Sequence, residues 1–282
     1  MKNNTLKVEV FKGVEASVNS YIFSNDTSIV VMDTLRNSKE AGELAALIKS
    51  KGLPLTHILI THGHPDHYIG MDRLKSEFPN ARIVVSRAEI KQDIIGFSEW
   101  MESVGWLEGE PRLKPRTDQN PSGFDYDNLI EVLGGDTLTL DGGGTLELSN
   151  DFSPAEAEHL TTVYAKDLNA FFTADFCYNK VHLWLGQGVD SVHIANWKSQ
   201  LENFKAKYKN SDIVIYPGHG DAADVQLFDV VVKYITDFEM VIKQSNTKEE
   251  AMSKMKALYP DWAQADFLLA YSVEYHMSLK EK

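Results

Sequence analysis

Over the first third of the chain, hydrophobic and polar positions alternate in short runs. Residues 6–12, 18–24 and 28–33 (LKVEVFK, VNSYIFS, SIVVMD) are β-branched or aromatic stretches separated by turn residues, which predicts an opening β-meander. The period changes over 37–52 (NSKEAGELAALIKSKG), where apolar residues recur at helical spacing between an Asn cap and a terminal Gly. THILI (56–60) reads as the next strand, DHYIGMDRLKSEF (66–78) as a helix that begins inside a polar cluster, and ARIVVS (81–86) as another strand. This β-α-β-α-β order predicts layered α/β packing.

From about 96 to 128 the pattern dissolves into Gly, Pro, Asn and Asp, with Trp100, Trp106 and Phe124 scattered among them. The stretch is too long for a routine connection. Two readings stand side by side: a surface excursion that starts in helix, or a lid or pocket wall. Residues 130–149 predict strands joined by Gly-rich turns, and 160–174 a hairpin turning at Asp167 to Asn169, so the second half builds a second sheet. A helix (191–208), a strand (DIVIYP, 212–217) and helical segments near 223–243, 247–257 and 262–279 complete the chain. Meander, helix and His-bearing strand end occur in both halves, which suggests two similar β-rich halves packed face to face.

Composition narrows the partners. With 282 residues, 43% of them hydrophobic, the chain can bury a large core in one big domain or two small ones. A net charge of −13 and no visible basic patch exclude nucleic acid as an expected partner. The opening MKNNTLKVEVF lacks the apolar core of a signal peptide, and no segment approaches the ~18 apolar residues of a membrane helix. The expectation is a cytoplasmic protein without a membrane partner. Its one cysteine, Cys177, leaves no intrachain disulfide and reads as packing.

The chemistry is concentrated in THGHPDH, which places His62, His64, Asp66 and His67 directly after a buried strand. Spaced imidazoles with one carboxylate are metal-ligand chemistry suited to Zn, Fe or Mn, and the lack of nearby thiolates argues against a structural zinc knuckle. Gly63 and Pro65 keep the segment out of regular helix until Asp66 and His67 enter the first helical turn. Three more candidates sit beside apolar β-runs: His159 in EAEHLTTVYA, Asp175 in AFFTADFCYN and His219 in VIYPGHGDA, the last flanked by Gly218 and Gly220.

On these residues the sequence resembles the metallo-β-lactamase-fold hydrolase superfamily, whose H-x-H-x-D-H signature stands here as His62, His64, Asp66 and His67. The resemblance spans residues about 6 to 222 and is closest to lactonase- and esterase-like members. It implies an α/β fold, a four-layer αββα sandwich, with a catalytic domain over 1–222 and a helical C-terminal extension over 223–282 packed on it. It implies two divalent metal ions, Zn first with Fe and Mn as alternatives. His62, His64 and His159 would hold one, Asp66, His67 and His219 the other, and Asp175 would bridge them. A metal-bridging hydroxide would be the nucleophile, and Asp66 would shuttle a proton to the leaving group. Asp33, which ends IVVMD, resembles the family's strand-end acid that orients a ligand imidazole.

Departures from the family pattern bear on the substrate. In many relatives the third His follows a Thr-Pro-Gly turn, and here SPAEAEHLTT replaces it. Asp175 stands where the antibiotic-hydrolysing members carry Cys or another non-bridging residue, which weighs against a dedicated β-lactamase. Tyr178 resembles a tyrosine placed near the metals in acyl-homoserine-lactone lactonases, where a phenol contacts the substrate oxyanion. Trp100, Trp106, His182 and Trp184 are the candidate pocket residues, and they favour a small-molecule ester or lactone with an apolar portion. His57, His193 and His276 belong to no matched motif and read as packing or surface. The alternatives are a mononuclear Fe(II) thiol or persulfide dioxygenase on the same fold, using His62, His159 and Asp175, and a phosphodiesterase or nuclease-type hydrolase. The C-terminal helices leave homodimerisation open.

Overall fold

The computed structural model describes residues 5–280 and shows a mixed α/β chain with two sheets and a helical C-terminus. The described residues divide into two compact units, one formed by residues 5–150 and 159–170, the other by 151–158 and 171–280.

The first unit is organised on a six-stranded sheet in the order β1-β2-β3-β4-β5-β6. Strands β1 (Lys7–Lys12), β2 (Asn19–Ser24) and β3 (Ile29–Met32) form the expected antiparallel meander. Strands β4 (Leu55–Leu59), β5 (Arg82–Val85) and β6 (Ile130–Val132) then join in parallel. Parallel neighbours need crossovers, and the helices supply them: α1 (Ser38–Ser50), whose N-terminus is capped by the Asn37 side chain accepting from Glu40 N at 2.8 Å, then α2 (Pro65–Tyr68) and α3 (Met71–Glu77), then α4 (Ala88–Ser103) and α5 (Tyr126–Leu129). Ile58, Ile83, Val31, Leu44, Met71 and Ile94 lie in the core they share. An antiparallel ladder, β7 (Thr137–Thr139), β8 (Thr145–Ser149) and β9 (Thr162–Ala165), completes the unit.

Two expectations are corrected here. Residues 130–132 belong to the first sheet, because Ile130, Glu131 and Val132 register against Ile83, Val84 and Val85. The single helix expected over 66–78 is two, α2 and α3. Thr34 donates to the His67 carbonyl from both N (2.7 Å) and Oγ1 (3.0 Å), which draws its backbone onto Gly70, where a Cβ would lie 1.8 Å from Thr34 O. The 96–128 stretch starts inside α4 and continues as short 3-10 turns; Leu107, Leu113, Phe124 and Tyr126 bury into the first unit's core, and Arg112 pairs with Asp72 at 2.9 Å.

In the second unit β10 (Ala170–Asn179) pairs with β11 (Val214–Gly220), and α6 (Ser191–Tyr208) packs through Trp197, whose indole N–H donates to Phe176 O at 2.9 Å. The helices α7 (Leu227–Gln244), α8 (Lys248–Leu258) and α9 (Ala270–Lys280) belong to this unit. Strand β10 runs four residues past Asp175, further than the sequence pattern suggests, and Ala174 just before it sits at φ 44, a left-handed conformation that kinks the strand. No helix among the described residues is long and apolar enough to cross a membrane.

Replacing Gly70 by Ala forces a Cβ onto the Thr34 carbonyl, so the variant is expected to lose about 1–3 kcal/mol of stability. A urea titration of wild type and variant measures it.

Candidate metal centre

The first unit carries a cluster of imidazoles at the end of β4. A His62 ring centroid lies 4.1 Å from that of His67 and 4.9 Å from that of His64, and the Asp66 carboxylate reaches within 3.9 Å of His67 Nε2. His62 and His67 are wholly buried.

What orders them is Asp33, at the end of β3. It is buried, in a left-handed conformation at φ 62, and its Oδ1 accepts from Thr61 N at 2.9 Å while Oδ2 accepts from Thr61 Oγ1 and His67 Nδ1, both at 2.9 Å. Burial pushes the Asp33 carboxyl pKa up, against the pull of His67 and Thr61. The Thr61 hydroxyl gives its one proton to Asp33, so at 2.9 Å from His62 Nδ1 it accepts from that nitrogen. Both imidazoles are thereby held as Nδ1–H tautomers with the lone pair on Nε2, the form in which a histidine ligates a metal.

The second unit carries a different cluster, dominated by carboxylates. Asp175 and Glu156 are 1% and 2% exposed, and each offers an oxygen within 4.8 Å of the other. The Tyr178 hydroxyl donates to Asp175 Oδ2 at 2.6 Å and lies 3.3 Å from Glu156 Oε1. His219 Nε2 sits 3.1 Å from Asp175 Oδ2, and its ring stacks on Tyr178 with centroids 4.3 Å apart and planes at 3°. Gly218 leaves the space that Asp175 occupies, since a Cβ there would fall 1.9 Å from Oδ1. Two carboxylate charges within 4.8 Å of each other repel. A cation relieves that repulsion.

The donor chemistry therefore fits divalent metal. Neutral imidazoles with fixed tautomers are available in one unit, and anionic oxygens with an imidazole in the other.

The remaining candidates are placed as follows. His159 falls in neither cluster: its ring is 28% exposed and its Nδ1 is held by Asp93 Oδ2 at 2.8 Å, within the first unit. Trp100 and Trp106 are 40% and 53% exposed and end an edge-to-face aromatic row that starts at His64, with centroid steps of 6.2 Å to Phe97, 5.3 Å to Trp100 and 4.9 Å to Trp106. His182 is corrected from pocket to core. It is fully buried, its Nδ1 lies 2.8 Å from Tyr234 Oη, and burial pushes its pKa down to about 4. Trp184 packs over Gly186 and near Tyr271. Cys177 is buried with its thiol pKa pushed well up by burial. His57, His193 and His276 bond or pack locally, against Thr56, Asp190 and Phe238 respectively.

Glu156 is a buried carboxylate of the second unit's cluster that the sequence reading does not single out. Its signal is present: Ser153, Pro154 and Ala155 precede it as Thr-Pro-Gly precedes the third His of many relatives.

Residues 13–219 match the metallo-beta-lactamase superfamily, and the chain belongs to it. Over 132 residues it is 31% identical to a probable metallo-hydrolase of Streptococcus pyogenes serotype M6, covering 46% of this chain and 47% of that one. Over 78 residues it is 38% identical to a hydroxyacylglutathione hydrolase of Aliivibrio salmonicida, covering 27% and 29%. The chain thus spans less than half the length of these two relatives. A solved metallo-beta-lactamase family protein from Thermus thermophilus superposes with a TM-score of 0.65 at 19% identity over 98% of this chain and 93% of that one, which shows the fold. Members of the superfamily are metal-dependent hydrolases.

Removing the phenol hydroxyl by Tyr178→Phe takes a donor from a buried carboxylate pair, so metal-depleted protein is expected to lose about 1–3 kcal/mol. Urea unfolding in the presence of a chelator reads the difference.

Proposed function

We propose that this protein is a binuclear-metal hydrolase of small-molecule esters or lactones that carry an apolar portion. The observation that carries the reading is the pair of Nδ1–H tautomers imposed on His62 and His67 through Asp33 and Thr61, an arrangement that costs two buried imidazoles their rotational freedom and serves metal ligation.

In this reading His62, His64, Asp66, His67, Asp175 and His219 hold two divalent ions, zinc first. When bound, the metals supply Lewis acidity toward the substrate carbonyl and lower the pKa of water toward neutrality. Water adds to the acyl carbon, the carbon–oxygen bond to the leaving group breaks, and acid and alcohol are formed. Asp66 carries the proton to the leaving oxygen, while Asp33 keeps His67 oriented and Tyr178 positions the Asp175 carboxylate. Substrate preference is read from the row Phe97, Trp100 and Trp106, whose exposed indoles offer an apolar track beginning beside His64. The hydrolytic, acyl-directed name of the Aliivibrio relative agrees with this direction of chemistry.

Elemental analysis of purified protein, paired with a turnover panel of lactones, aryl esters of graded chain length and phosphodiesters, tests the proposal. The expected result is two metal equivalents with ester or lactone turnover, lost almost entirely in His64→Ala. One iron, no hydrolysis and oxygen consumption with a thiol substrate would overturn it in favour of a dioxygenase. Asp33→Asn is expected to lower metal affinity about 10–100-fold, measured by competition with a chromophoric chelator. Trp100→Ala is expected to raise KM about tenfold for the longest apolar ester while leaving the shortest unchanged, a difference of about 1.4 kcal/mol in binding. An equal change for both would remove the apolar track from the reading.

A further inference from the structure

We propose that Glu156, and not His159, is a metal ligand, beside Asp175, so that this chain uses a carboxylate where the family pattern gives an imidazole; the inference rests on the metallo-hydrolase reading above.

The two residues differ in what surrounds them. Glu156 is 2% exposed, close to the burial of Asp175 at 1% and of His62, His67 and His219 at 0%, whereas the His159 side chain is 28% exposed. Glu156 offers an oxygen within 4.8 Å of one on Asp175, and among the described residues His159 belongs to no group of converging metal-type donors. The Tyr178 hydroxyl has one proton, given to Asp175 at 2.6 Å, and its contact with Glu156 is the longer one at 3.3 Å. Two buried carboxylates with oxygens within 4.8 Å of each other are stabilised by a divalent cation that both ligate. Tautomer does not separate the candidates, since Asp93 also fixes His159 as an Nδ1–H imidazole. Burial and local charge do. His159 is then a rim side chain held by Asp93.

The exchange has a consequence for metal choice. Imidazole suits zinc, while carboxylate oxygen favours harder ions such as manganese, so the pocket shifts toward manganese relative to a version with histidine at this position.

Equilibrium dialysis of full-chain wild type, Glu156→Gln, Glu156→His and His159→Ala against Zn²⁺ and Mn²⁺, followed by elemental analysis, tests the inference without reference to turnover. Wild type and His159→Ala are expected to retain two equivalents and Glu156→Gln one. Glu156→His is expected to retain two, with its Zn-over-Mn preference raised at least about tenfold, the lower end of what changing a ligand's surroundings does to affinity. Circular dichroism and the metal-free melting temperature guard against misfolding, and Glu156→Gln without metal is expected to melt no lower than wild type because one of two adjoining buried charges is gone. Metal lost from His159→Ala, or two equivalents retained by Glu156→Gln, overturns the exchange. Wild type that takes up no metal overturns the metallo-hydrolase reading itself, and the exchange falls with it.

Discussion

The buried Asp33 carboxylate is the constraint on which the first unit's donor cluster depends. It ends a strand whose four residues are all buried, and its backbone is held at φ 62, a conformation that costs a non-glycine residue roughly 1–3 kcal/mol. Burial raises its pKa, which is the signature of a carboxylate that would prefer water. Three donors answer that cost: the Thr61 amide, the Thr61 hydroxyl and the His67 ring. Because the hydroxyl proton is committed to Asp33, the choice propagates to His62, and one carboxylate sets the protonation pattern of two imidazoles on a different strand end. A buried network of this kind is worth having only when every member is satisfied, and here the chain of donors closes.

The second unit solves the opposite problem. There two carboxylates, Asp175 and Glu156, are buried around the Tyr178 hydroxyl. Carboxylate oxygen is a ligand type that a divalent cation takes. The local backbone is shaped for this. Gly218 is a glycine because Asp175 Oδ1 fills the position of its side chain, and Gly220, at φ 87, lets Asn179 O approach to where a Cβ would stand 2.0 Å away.

The parts that can be read from sequence are those written in local patterns. The THGHPDH run, the strand-end Asp33 and the flanking glycines of His219 each declare themselves within a few residues, and the structure gives them strand ends, buried partners and close backbone approaches. What escapes the sequence depends on distant residues. The break between α2 and α3 is imposed by Thr34, far upstream, and nothing within 66–78 announces it. The three residues of β6 become a strand because Ile83, Val84 and Val85 offer an open edge, a fact no alternation within IEV contains. His182 reads as a pocket residue only while Tyr234 and Trp262, which the C-terminal helical region brings around it, are out of view. His159 draws attention by residue type, whereas Glu156, a residue usually solvated, carries only the weak signal of Ser153, Pro154 and Ala155 before it and stands out through its burial beside Asp175 and Tyr178.

Charge then ties the site to its substrate. With Glu156 in the ligand set, three carboxylates stand against two divalent cations, leaving about one net positive charge where a histidine would leave about two. The chain around it carries −13. Such a centre attracts a phosphodiester less strongly than a histidine-completed one, and it still polarises the carbonyl of a neutral ester or lactone, for which a short-range Lewis acid is enough. The aromatic row from His64 to Trp106 acts in the same direction, since it rewards apolar area. On the proposed reading, ligand charge, overall field and apolar track favour the same kind of molecule, neutral at the reacting carbonyl and apolar beyond it.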